Sequence, residues 1–123
     1  MTSAIEKKGM NIKTVTPYVD AWEENDETII MVEMPGVSDK NANVNVEKGI
    51  LTVEGIVDLQ EAEGYQLEHQ EARCVRYKRM FELSDKVNVD GITAQMKNGV
   101  LKIILPKRDE VKTKKIAVLA EKN

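Results

Sequence analysis

Short runs of alternating apolar and polar residues continue from Pro17 almost to the end of the chain, and turn residues separate them at close intervals. This period of two, without a long helical period, is typical of an antiparallel β-sandwich. The first two strands are predicted at Tyr18 to Glu24 and Thr28 to Met34, joined by a turn at Asn25-Asp26. Side chains two residues apart share one face of a strand. The second strand should therefore direct three residues to the core, Ile30, Val32 and Met34.

Five further runs continue the same pattern. Asn43 to Glu47 and Ile50 to Glu54 alternate on either side of a tight turn. Arg73 to Leu83 is the longest alternation, and its predicted inward face holds Arg79 among apolar residues. Asn98-Gly99 joins the last two strands, because both residues adopt the positive φ of a type I′ turn at low cost. We expect an all-β fold with almost no helix in the core.

Two segments fall outside this regular pattern. Ile56 to Ala72 is polar, acidic and long for a connection without structure in a compact domain. Within it Tyr65, Leu67 and His69 alternate with polar residues, which indicates a strand with too few apolar groups to fold alone. Such a strand needs a sheet edge to join. After Pro106 a charged tether leads to an apolar patch at Ile116 to Leu119, which forms a sticky end.

Length and composition narrow the class of protein. The 123 residues are enough for one domain with tails, and the net charge of -3 comes from mixed rather than blocked charges. Nucleic acid is therefore not an expected partner, since phosphate binding needs a concentrated basic surface. No apolar stretch approaches the ~20 residues of a membrane span, and Met1 to Gly9 has no secretory apolar region. We expect a soluble cytoplasmic protein.

The residues capable of chemistry do not form a catalytic pattern. His69 and the lone Cys74 are an odd number of positions apart, so on a strand they would face opposite sides. No second His or Cys completes a metal site, and the lone cysteine cannot form an intramolecular disulfide. The acidic residues between Asp58 and Glu71 lack the spacing of an oxygen-ligand loop. We therefore expect no enzyme, no metal and no cofactor.

Several motifs together resemble the α-crystallin domain of small heat-shock proteins, in its bacterial and plant form. Ile92 to Lys107 contains A-x-x-x-N-G-V-L followed by an apolar strand and Pro-Lys, similar to the signature near the end of that domain. Tyr77 to Leu83 matches F-x-R-x-F-x-L with tyrosine in first place. The remaining matches are Pro17, Asp20 and Glu23 to P-x-x-D-x-x-E, Met34 to Val37 to L-P-G-V, Ile50 to Gly55 to G-x-L-x-I-x-G, and Ile116-Ala117-Val118 to the tail motif I-x-I/V.

The resemblance implies a division of the chain and an architecture. It places an N-terminal arm at 1–16, the α-crystallin domain at 17–107 and a C-terminal extension at 108–123. The domain would be an immunoglobulin-like β-sandwich, with residues 56–72 as the loop and strand that serve dimerisation. Bacterial and plant members exchange this strand between two subunits, so Tyr65, Leu67 and Arg79 are expected at the dimer interface.

The function implied by the resemblance is that of an ATP-independent chaperone that holds partly unfolded clients. Clients would bind an apolar groove between Asn43 to Glu47 and Ile92 to Lys97. We expect Val44, Val46 and Met96 to line it, and the plug, from the same or another subunit, to be Ile116 and Val118. Two alternatives stay open. One is a co-chaperone adaptor that binds a single folded partner, and the other is an enzyme on a β-sandwich, against which the single histidine and the lack of a phosphate loop argue.

Overall fold

Two four-stranded sheets make up the part of the chain that the computed structural model describes, residues 12–58 and 74–121. One sheet has the order β1-β6-β5-β4 and the other has the order β2-β3-β8-β7. Short 3₁₀ turns are the only helical elements in these residues, and none of their helices is long and apolar enough to cross a membrane. The strands are β1 (Ile12–Val15), β2 (Tyr18–Glu24), β3 (Glu27–Glu33), β4 (Ala42–Glu47), β5 (Ile50–Asp58), β6 (Cys74–Glu82), β7 (Thr93–Lys97) and β8 (Val100–Pro106), and the 3₁₀ turns are Asp39–Asn41, Val89–Gly91 and Asp109–Val111.

The core lies between the two sheets and comes from the alternating positions. The predicted inward residues Ile30 and Val32 of β3 and Met34 directly after it are all buried, which confirms the period of two. The inward residues of β8 lie beside them in the same sheet, and Leu51 and Val53 of β5 face both strands from the other sheet. Burying a side chain of this size contributes roughly 1.5–3 kcal/mol, so the core holds the sandwich together without a disulfide.

Tight turns join β2 to β3 and β7 to β8. Asn25 and Asp26 have φ values of 53° and 63°, and Asn98 and Gly99 have 52° and 77°. Positive φ at both central residues is the type I′ geometry that suits the twist of a hairpin. The prediction of hairpin turns at these places is therefore confirmed.

One predicted strand end was wrong. The fifth strand continues through Asp58, whereas the sequence pattern ended it before Gly55. A Cβ on Gly55 would lie 2.8 Å from Met34 Sδ and 3.0 Å from Val37 Cγ1, so the glycine allows close packing inside a strand rather than a turn. Val57 beyond it is buried in the core. The predicted loop at 56–72 thus begins with three strand residues, and its Tyr65, Leu67 and His69 lie outside the described residues.

A second difference concerns the predicted arm at 1–16. Its Ile12 to Val15 form β1, which pairs in parallel with the first half of β6. Four residues without clear alternation gave no signal for this strand. Every other pairing between named strands is antiparallel, as predicted.

Candidate functional site

A groove opens along one side of the sandwich, between β4 of one sheet and β7 of the other. Val44 and Met96, two of the residues expected there from the resemblance, both line it and both are half-buried. Val46 packs against the same core next to them without lining the cavity itself. The cavity has a volume of about 220 Å³, and its lining consists of Asp39, Ala42, Val44, Ala94, Met96 and Leu101.

The strands on both sides of this groove end their sheets. In the described residues β4 pairs only with β5, and β7 pairs only with β8. An edge strand leaves a row of N–H and C=O groups unpaired, and an extended peptide can pair with such a row. The groove therefore combines an apolar floor with backbone groups ready to bind an extended segment.

The first part of the C-terminal extension is hydrogen-bonded to the turn between β2 and β3, and the part that follows is exposed. The backbone N–H of Lys107 donates to the carbonyl of Asp26 over 3.1 Å. Further along, the hydroxyl and the backbone N–H of Thr113 both donate to Asp26 Oδ1, over 3.2 and 3.4 Å. Beyond Thr113 the tail motif is open to solvent, since Ile116 is 75% and Val118 is 93% exposed.

Electrostatics support this attachment of the extension. Lys112 Nζ lies 3.0 Å from Asp109 Oδ1. The hydrogen bond and the charge of Asp109 raise the pKa of Lys112 above its ordinary value, and the charges of Asp26 and Glu27 add smaller contributions. An exposed pair of this kind stabilises little by itself. Lys112 also lies near enough to the acidic β2–β3 turn for Asp26 and Glu27 to act on its pKa.

Arg79 occupies the inward face of β6 as predicted, at a half-buried position. Its guanidinium carbon lies 5.5 Å from the centre of the Phe81 ring, a cation–π contact. This contact partly compensates the cost of holding a charge among apolar groups. The structure does not test a role at a dimer interface, because Tyr65 and Leu67 lie outside the described residues.

A second exposed surface was missed by the sequence analysis. Tyr18 and Trp22 of β2 point away from the core and are 72% and 40% exposed. Ile29 of β3, directly opposite Trp22, is buried although it lies outside the core cluster. Tyr18, Asp20 and Trp22 are two residues apart, so the alternation along β2 is the signal that could have predicted this outward row.

The residues considered for metal or nucleophilic chemistry do not meet in the described residues. Cys74 is buried and forms no disulfide. Within residues 12–58 and 74–121, no three side chains of the His, Cys, Asp or Glu types come together in a way that could hold a metal ion. His69 and the acidic residues from Glu61 to Glu71 lie outside these ranges.

Comparisons with known proteins agree on one family. The model of the Hsp20/alpha crystallin family matches residues 20–119. The "Probable 15 kDa heat shock protein" of Leptospira interrogans is 36% identical over 116 residues, which cover 94% of this chain and 88% of that protein. The "Heat shock 22 kDa protein, mitochondrial" of Glycine max is 35% identical over 98 residues, but only 43% of that longer protein is covered.

Solved structures give the same result. The hspA of Xanthomonas axonopodis is 35% identical, with a TM-score of 0.60 over 76% of this chain and 95% of that chain. A small heat-shock protein from Xylella fastidiosa, described as having a distinct high order structure, is 29% identical. Its TM-score is 0.63 over 86% of this chain and 98% of that chain.

Proposed function

This chain belongs to the Hsp20/alpha crystallin family of small heat-shock proteins, which are chaperones rather than enzymes, and we propose that it holds partly unfolded clients without ATP. The observation that carries the proposal is the apolar groove between two free edge strands. A partly unfolded chain offers extended apolar segments with unpaired backbone groups. The groove matches both features, because Val44 and Met96 supply apolar contact and the strand edges supply hydrogen bonds.

The same groove would bind the tail motif of another subunit. In an extended tail, Ile116 and Val118 lie on one face, so both could enter a groove together. The attachment of Thr113 to Asp26 limits where the tail can reach. Ile116 lies three residues further on, at most ~11 Å away.

The chain's own groove lies beyond this reach. Met96 pairs with Leu101, and Leu101 lies five residues along β8 from Pro106, the end of β8 that is next to the β2–β3 turn. Met96 itself is on β7, two strands across from β3. Strand spacing and rise put that point roughly 20 Å from the β2–β3 turn. While Thr113 stays attached, the tail motif therefore binds a neighbouring subunit, which links subunits into an assembly. This distance supports the intersubunit plug rather than the intramolecular one.

Pairing of subunits would use the other side of the sandwich. Strand β2 is a free edge of seven residues in the described structure, longer than β4 or β7. A strand around Tyr65 to His69 from a second subunit could complete its hydrogen bonds and cover the edge. β1 pairs only with the first half of β6, Cys74 to Tyr77. Arg79 lies in the second half of β6, which β1 does not cover, and on the inward face of the strand. These features support a strand-exchanged dimer with Tyr65, Leu67 and Arg79 at its interface.

Complex formation with a client tests the holding function. An unrelated protein should be unfolded by heat or reduction in the presence of the chain, and the mixture should be separated by gel filtration without nucleotide. We expect the client to elute with the chain at high mass. The variants Val44→Asp and Met96→Asp place charges in the groove and should reduce the captured client, whereas Asn45→Asp on the outward face of β4 is the matched control.

The adaptor alternative predicts a different outcome. An adaptor would bind one folded partner, would leave the unfolded client uncaptured and would remain a strict monomer by light scattering.

The partners proposed for this chain are unfolded clients and further copies of itself. A cytoplasmic location is part of the proposal as well, and the Leptospira relative is consistent with it, although other relatives are mitochondrial.

A further inference from the structure

The outer face of the β2-β3-β8-β7 sheet carries an apolar band near the β2–β3 turn. Trp22, Ile29 and Ile104 lie side by side across three strands, because Ile29 pairs with both of the others. Met31 follows two residues further along β3 on the same face. Trp22 remains 40% exposed, and Met31 and Ile104 are half-buried. The band is therefore only partly covered by its own side chains.

The β2–β3 part of this face is acidic. Asp20 and Glu24 of β2 and Glu27 and Glu33 of β3 point outward, and neither strand contains a lysine or arginine. The outward lysines of the sheet, Lys102 of β8 and Lys97 of β7, lie on the side away from β2. The extension, in contrast, carries three lysines just before the tail motif, Lys112, Lys114 and Lys115. Their charges are opposite to those of the outward residues of β2 and β3, which favours contact between the two at low ionic strength.

The extension leaves the fold at the edge of this same face. Thr113 donates to Asp26 in the β2–β3 turn, and Lys112 is close enough to Glu27 for that charge to raise the pKa of the lysine. Trp22 and Ile29 are three residues from the turn, a distance of ~10 Å along the strands. Ile116 is three residues beyond Thr113, so its reach of ~11 Å matches that distance.

The spacing continues to match along the tail. Val118 lies two residues after Ile116, and Met31 lies two residues after Ile29. Extended chains rise by ~6.8 Å over two residues, so both pairs have the same separation. We propose that the chain's own tail closes over this face as a strap, with Ile116 on Trp22 and Ile29, Val118 on Met31, and the lysines beside the acidic residues.

A closed strap would have a consequence for assembly. Ile116 and Val118 cannot contact the outer face and enter another subunit's groove at the same time. The strap would therefore compete with the intersubunit plug, and raised ionic strength would release it. This consequence depends on the proposed function of the groove, whereas the strap contact itself does not.

Trp22 reports on the strap directly, because it is the only tryptophan of the chain. The measurement is quenching of its fluorescence by acrylamide, at a dilution where light scattering gives all variants the same mass. If the strap covers half of the exposed ring, Ile116→Ala with Val118→Ala should raise the quenching constant about twofold and shift the emission to the red. Leu119→Ala, on the other face of the extended tail, is the matched control and should change neither.

Two results of the comparison at one salt concentration would overturn the strap. One is equal quenching in the parent and the double variant, which would mean that the tail does not cover Trp22. The other is a difference that disappears on further dilution, because contact within one chain does not depend on concentration. Raising the salt concentration should increase quenching in the parent chain alone, and an effect of equal size in the double variant would also contradict the closed strap.

Discussion

Removal of the two tail side chains should weaken assembly without unfolding the domain. Ile116→Ala with Val118→Ala deletes five carbon atoms from groups that are 75% and 93% exposed in the isolated subunit. At roughly 0.8 kcal/mol for each buried CH₂, scaled by those exposed fractions, docking in a neighbouring groove should lose about 3 kcal/mol. That is a roughly 100-fold weaker contact.

The assay is molar mass by light scattering across a dilution series, with circular dichroism to confirm the fold. The double variant should lose mass at concentrations where the parent remains assembled. Leu119→Ala removes a similar apolar group from the opposite face of the tail and should behave like the parent. An identical mass for parent and double variant at every concentration would mean that the apolar tail plays no part in assembly.

Three further predictions concern the strands and the extension. Replacing residues 59–72 by a short Gly-Ser turn should give a folded monomer, because Asp58 and Cys74 already pair with each other across the gap. A dimer at low micromolar concentration would instead favour an interface along β6. Gly55→Ala should lower the free energy of unfolding, measured in urea, by about 1 kcal/mol, because overpacking against Met34 and Val37 exceeds the gain in strand propensity. An unchanged or higher free energy of unfolding would refute this packing. Asp109→Asn should lower the pKa of Lys112 towards its ordinary value in an NMR titration, and an unmoved pKa would show that Asp109 does not raise it.

Much of the fold was predictable because the alternation and the turns are local properties. Asn98 and Gly99 specify their hairpin from their own conformational preferences, and Val44 and Met96 were placed correctly on inward faces. The end of β5 was not predictable in this way. Gly55 resembled a strand end, yet its role depends on Met34 and Val37, which approach it only in the folded sandwich.

In the candidate site as well, some features were predictable from the sequence and others depend on contacts that form only in the folded protein. The groove was expected from the resemblance, and the alternation of Val44 and Val46 put those two side chains on one face of their strand. The attachment of Thr113 to Asp26 could not be predicted, since 87 positions separate the two residues and no local pattern links them. Ile29 was missed for a related reason, because an apolar residue on an outward face gains its burial from Trp22 and Ile104 on neighbouring strands.

Suppression of client aggregation without ATP tests the central claim most directly. The turbidity of an unrelated protein during heating or reduction should be followed at increasing ratios of this chain to client, with no nucleotide present. We predict that turbidity falls as the ratio rises, and that Met96→Asp weakens the effect by placing a charge in the groove. Unchanged turbidity at several-fold excess of the folded chain would contradict the holding function.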